Sequence, residues 1–136
     1  MKTQKDLYDL SFTIIGCAIE VHKHLGPGLL ESVYEACMIY ELKNAGLAGK
    51  SQVYVPISYK GQDLGEYLKL DILVNDLIII EEKAVEKIIP LYKAQLLTYL
   101  KLTRKPKGLL INFNCENIAH QVVSVVTDEF SQLPKG

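Results

Sequence analysis

The stretch "LDILVNDLIIIEEKAV", residues 70–85, constrains this chain more than any other. It reads as two apolar strands around a turn at Asn75–Asp76, with Asp71 near the start of the first strand and Glu81, Glu82 and Lys83 at the end of the second. The run Leu77–Ile80 has no polar alternation, so its strand is expected to be covered on both faces. Acids therefore stand close to the apolar centre of a sheet. Alternate side chains of a strand share a face, so Glu81 and Lys83 point one way and Glu82 the other. Loop length decides which acid meets Asp71. A two-residue loop pairs Val74 with Leu77 and Asp71 with Ile80, leaving Asp71 on the face of Glu82. A three-residue loop, Asn75–Leu77, pairs Val74 with Ile78 and Asp71 with Glu81, gathering Asp71, Glu81 and Lys83.

Around this hairpin the pattern changes period. Leu7, Leu10, Ile14, Ala18, Val21 and Leu25 recur at spacings of three and four, which predicts a helix over residues 5–25, stopped by "LGPG". A second helix is expected from about Leu29 to Ala45, with Leu30, Val33, Tyr34, Cys37, Leu42 and Ala45 inward. "SQVYVPISYK" is a strand, at an edge or bulged because Pro56 has no N–H, and "KGQD" turns it into "LGEYLKLDILV". A third helix is expected over about 89–103, followed by the strand "LLINFN", a last strand "ENIAHQVVSVV" by its Val content and a frayed tail, about 128–136. This order predicts one α/β (α+β) domain over residues 1–136, with helices flanking a mixed sheet of four to five strands.

The bulk figures narrow the setting. At 49% hydrophobic the chain can fill a core, yet no apolar run approaches the ~20 residues of a spanning helix. No apolar signal region opens "MKTQKDLYDL", so a cytoplasmic location without membrane contact is the expectation. Cys17, Cys37 and Cys115 are too widely spaced for a metal knuckle and are expected as reduced core or half-buried thiols. His22 and His24 lack a spaced partner set and read as residues at a helix end. Net charge is −1, but Lys83, Lys87, Lys93, Lys101, Arg104, Lys105 and Lys107 face only Glu86 within their stretch. That is either a solvated face or a phosphate-binding patch inside a neutral average.

Two carboxylates opposite one another destabilise a sheet. A hard divalent cation compensates, and Mg²⁺ typically takes one or two carboxylates with waters and phosphate. Lys83 adds positive charge that can stabilise a phosphoryl oxygen or hold a water. Gln95 and Tyr99, four apart on the third helix, share a face, as do Glu31 and Tyr34 on the second. The plain reading is a strand end reaching solvent beside ordinary helix faces.

Taken together, "GLLESVY" (Gly28–Tyr34), "LD…IEEKAV" and "AQLLTYL" resemble, in order and spacing, the motifs of the GxxExxY protein family, placed in the PD-(D/E)xK nuclease-like superfamily. The likeness runs from about residue 7 to residue 126. It implies a restriction-endonuclease-like core and a Mg²⁺- or Mn²⁺-dependent nuclease acting on DNA or RNA. Asp71 matches the motif aspartate, with Leu70 where the superfamily has proline. Glu81 and Lys83 match "ExK", and the Glu82 backbone carbonyl is the usual third metal contact. Glu31 matches the acid brought by the first core helix, and Gln95 and Tyr99 match a Q-x-x-x-Y pattern. Lys87, Lys93, Lys101 and Arg104 are the expected phosphate contacts. The competing expectation is a nuclease-fold module without turnover, binding nucleic acid or forming a homo-oligomer through the edge strand "VYVPISY".

Overall fold

A computed structural model describes residues 2–136. Helix α1 (Gln4–Leu25) opens with a capping box, in which Thr3 Oγ1 accepts from the Asp6 N–H while the Asp6 carboxylate accepts from the Thr3 N–H. It is followed by α2 (Glu31–Asn44), β1 (Gly49–Tyr59), β2 (Gln62–Val74), β3 (Ile78–Lys83), α3 (Pro90–Thr103), β4 (Lys107–Asn112), a 3₁₀ turn at Ile118–Gln121, β5 (Val122–Val126) and α4 (Asp128–Ser131). The five strands form one sheet in chain order. All neighbours are antiparallel except β3 and β4, which the α3 crossover makes parallel. This is the mixed α/β sandwich expected, with a restriction-endonuclease-like arrangement. No helix among the described residues is long and apolar enough to cross a membrane.

The central strand explains the two layers. Ile78 and Ile80 pack under α1 and α2 with Ile14, Met38 and Leu42, whereas Ile79 packs under α3 with Leu96 and Leu100. The unbroken apolar run thus feeds two cores, one on each face. The α3 core is tight. A Cβ on Gly108 of β4 would lie 2.8 Å from Leu96 Cδ1, so glycine is what lets the helix approach.

Three expectations are corrected. Only residues 122–126 of the last apolar segment form a strand, because Asn117 caps a 3₁₀ turn by accepting from the Ala119 N–H. β3 ends at Lys83, since the next N–H groups, of Ala84 and Val85, are taken by the side chains of Glu31 and Asn112. The tail does not fray: Phe130 is buried, and the Gln4 and Lys5 N–H groups donate to the Pro134 and Lys135 carbonyls at 2.8 and 3.1 Å. The three cysteines are free thiols, Cys17 buried and the others half-buried.

The turn between α1 and α2 sets where α2 begins. Tyr34 is fully buried and stacks on Phe113, with ring centroids 4.6 Å apart. Its hydroxyl donates to the Gly26 carbonyl at 2.6 Å and accepts from the Leu29 N–H at 3.2 Å. One side chain thus closes "LGPGLL", where Gly28 takes φ 98°, and fixes Glu31 at the first turn of α2. Tyr34→Phe keeps the stack and strips both hydrogen bonds. The expected loss is about 1–3 kcal/mol, from two polar groups losing their partner, read as a lowered urea midpoint.

Candidate active site

The β2–β3 turn adopts the odd-length register. Leu77 N–H donates to the Val74 carbonyl at 2.9 Å, Asn75 and Asp76 take φ of 51° and 57°, and Val74 pairs with Ile78. Both turn residues are types that tolerate this left-handed region. The ladder runs through Ile72–Ile80 and then gives way to side chains. The Asp71 N–H donates to Glu81 Oε1 at 3.4 Å, and the Glu82 N–H donates to Asp71 Oδ2 at 2.8 Å. The carboxyl groups of Asp71 and Glu81 stand within hydrogen-bonding reach of each other.

Asp71 also reaches the other layer. Leu70 packs with the α3 core but Ile72, two residues on, packs with the α1–α2 core, so β2 turns over at Asp71. The β1–β2 ladder skips this point, opposite Gln52, whose φ is 54°. A cavity of about 440 Å³ opens there, lined by Glu31, Ser32, Glu35, Gln52, Lys69, Asp71 and Glu82. Gln52 Nε2 donates to Glu35 Oε1 at 2.7 Å, and Glu31 Oε1 accepts from the Ala84 N–H at 3.2 Å. Asp71 is therefore shared between Glu81 on one side and Glu82, Glu31 and Glu35 on the other.

The electrostatics follow from this crowding. Burial, then the neighbouring Asp71 charge, pushes Glu81 up to about 8. Burial, followed by the charges of Asp71, Glu35, Glu31 and Glu81, pushes Glu82 up to about 9. Burial also raises Asp71, against the opposing Glu82 N–H. Glu82 is 2% exposed, and neither of its carboxyl oxygens has a hydrogen-bond partner. A buried acid with no partner holds its proton or awaits a cation.

On the α3 side, Lys83 places Nζ 4.5 Å from the centroid of the Tyr92 ring. Gln95 Nε2 donates to the Tyr99 hydroxyl at 3.0 Å, and burial, then the Glu81 charge, raises Tyr99. Gln95 and Tyr99 thus share one helix face, and Tyr99 lies within reach of the Glu81 charge.

The basic stretch does not form one patch. Lys107 is 3% exposed and lies under Tyr8, and Lys105 is paired with Asp76 at 2.9 Å. Lys87, Lys93, Lys101 and Arg104 are exposed. Lys101 lines a separate cavity with Leu97 and residues 126–129, and Lys93 lies about 160° around the helix from Gln95. His22 is likewise spoken for, its Nε2 2.7 Å from the Cys115 carbonyl oxygen.

Sequence reasoning missed the side chains of Glu82, Glu35, Gln52 and Lys69. Glu35 stands four residues after Glu31, and Lys69 two before Asp71, so helix and strand periods carried a signal for both. For Glu82 the resemblance implies a role for the backbone carbonyl alone.

The family model described as the PD-(D/E)XK nuclease superfamily matches residues 8–125. No curated protein and no solved structure matches the chain.

Glu81 and Glu82 hold their protons to about 8 and about 9, against 4.5 ordinarily. Between those values the folded chain binds more protons than the unfolded one, so stability falls as pH rises through this window and levels off above it. Melting in EDTA from about pH 5 to about pH 9 should show a declining Tm. Glu82→Leu should flatten the decline and raise Tm at the alkaline end. A slope unchanged by both Glu82→Leu and Glu81→Gln would assign it to other groups.

Proposed function

The chain belongs to the PD-(D/E)XK nuclease superfamily, and from that premise we propose that it is a divalent-metal-dependent phosphodiesterase acting on DNA or RNA, of the GxxExxY branch. The observation that supports this reading is the junction at Asp71, where a half-buried and a buried carboxyl group, of Asp71 and Glu81, stand within reach of each other beside a lysine-bearing strand end. Such an arrangement costs stability unless a cation joins it.

The donor set fits a hard ion, because every candidate ligand is oxygen and two acids, Glu81 and Glu82, are held protonated by burial and by the carboxylates around them. Among the described residues no group of three or more His, Cys, Asp or Glu side chains is arranged to hold a metal ion. Mg²⁺ or Mn²⁺ taken by one or two carboxylates and waters needs no such cage. In this reading Asp71 and Glu81 hold the ion, with the Glu82 carbonyl as a further contact and Glu31, whose Oε1 accepts from the Ala84 N–H, reaching it through a coordinated water. When bound, the ion polarises a phosphoryl oxygen and lowers the pKa of a coordinated water.

The remaining roles fall to the chain itself. Lys83 orients the attacking water and balances charge on the phosphoryl oxygens. Gln95 and Tyr99 position the phosphate from α3 through their shared hydrogen bond. Lys87, Lys93, Lys101 and Arg104 contact backbone phosphates away from the cleft, making binding salt-sensitive.

With Mn²⁺ or Mg²⁺ the purified chain is expected to cleave a nucleic acid, and EDTA to stop it. Lys83→Ala should lower the rate about 10²–10³-fold, as for other preorganised charged groups, with metal affinity retained. Asp71→Asn should lower both rate and affinity. Calorimetric metal titration and a cleavage assay on single- and double-stranded DNA and RNA check this. Cleavage that survives intact in Asp71→Asn, Glu81→Gln and Lys83→Ala, or the absence of both cleavage and metal binding, overturns the proposal.

A further inference from the structure

The β1–β2 hairpin extends beyond both cores. On one of its faces Val53, Val55 and Leu70 pack toward α3. The opposite face carries Tyr54 and Tyr67, which are 64% and 58% exposed. Tyr54 pairs directly with Lys69, and Tyr67 pairs with Pro56. Paired residues, and residues two apart on a strand, share a face. Tyr54, Pro56, Tyr67 and Lys69 therefore form one strip, and Lys69 lines the acidic cavity at Asp71.

We propose that this strip is a track for single-stranded nucleic acid, feeding one strand past Tyr67 and Tyr54 to Lys69 and the acids at Asp71. The inference rests on the reading above and narrows its substrate to unpaired strands.

Three features select that occupant. Tyr54 and Tyr67 are diagonal cross-strand neighbours, about 7–8 Å apart, roughly two base steps of ~3.4 Å each. One base can therefore lie between the two rings. The faces of bases are open for such stacking in a single strand and covered by their neighbours in a duplex. Lys69 supplies a cation where the cavity otherwise presents Glu31, Glu35, Asp71 and Glu82, so a phosphate arriving from the strip meets positive charge first. The tyrosines lie outside the cores, so replacing them leaves the packed layers untouched.

The test is fluorescence anisotropy of the full chain in EDTA with a labelled oligothymidylate of about 15 nucleotides, near the upper site size of stacking-type binders, and with a duplex of equal length. The single strand should bind more tightly than the duplex. Tyr54→Ala with Tyr67→Ala should weaken it about tenfold or more, given stacking of ~1–3 kcal/mol per base. Tyr54→Phe with Tyr67→Phe should retain binding, because the rings remain. Lys69→Ala should weaken binding and lower its salt dependence. Equal affinity for duplex, or binding indifferent to loss of both rings, overturns the track while leaving the metal and cleavage tests standing. Single-strand binding that needs the rings, in a chain that cleaves nothing, keeps the track and removes the hydrolytic reading. Sedimentation showing a dimer that dissociates in the double alanine variant assigns the strip to a second copy of the chain and overturns it.

Discussion

One surplus residue in the β2–β3 turn governs the site. Leu77 N–H closes the turn on Val74, yet the next pair is Val74 with Ile78, so β3 is displaced by one position from the register of a two-residue loop. The displacement puts Glu81 rather than Ile80 against Asp71. It also leaves Ile78 and Ile80 facing the α1–α2 core and Ile79 facing α3. Core packing and acid pairing thus rest on the same register. A slip of one residue would exchange the two faces of β3 and could not preserve either.

The layers were legible because periodicity reports burial. The apolar run at Leu77–Ile80 called for cover on both faces, and the spacing of Leu7, Ile14 and Val21 called for a helix to provide it. The hairpin was legible only as two alternatives, because "ND" permits either loop and the decision lies in packing on both sheet faces. Residues 116–121 misled because the Val content of residues 122–126 was extended back over the Asn117 cap, a local hydrogen bond that ends in a 3₁₀ turn. The tail misled for a different reason: what holds Pro134 and Lys135 is the far end of the sequence, at Gln4 and Lys5. The strand period gave the partition of Glu81 from Glu82, but it could not give the turn-over of β2 that lets Asp71 serve both. That depends on Gln52 holding a left-handed conformation on a neighbouring strand.

Around the acids the sheet yields regularity to function. Between Gln52 and Asp71 the ladder is skipped, and past Ile72–Ile80 the backbone N–H groups of Asp71 and Glu82 turn to carboxylates. The β1–β2 ladder also shifts register between Pro56 and Ser58, but the strained and unpaired backbone beside the acids is the pattern expected where binding geometry takes precedence over stability. Tyr34 shows the complementary case. In the Gly28–Tyr34 segment the glutamate reaches toward the acids, while the tyrosine is wholly occupied in closing the turn before it.

The hairpin has an unequal inheritance from the rest of the fold. Its base is clamped by Leu68, Leu70 and Ile72, but beyond Leu68 every residue of β2 is exposed. Regions with few buried apolar contacts open at lower free energy than the body that carries them. Amide exchange protection should accordingly fade along β2 from Leu70 toward Gln62. A rod fixed at one end and compliant at the other gives up conformational entropy whenever something seats on it. Part of any contact energy gained there is spent on stiffening the arm, so tight contacts would translate into modest affinity and fast release.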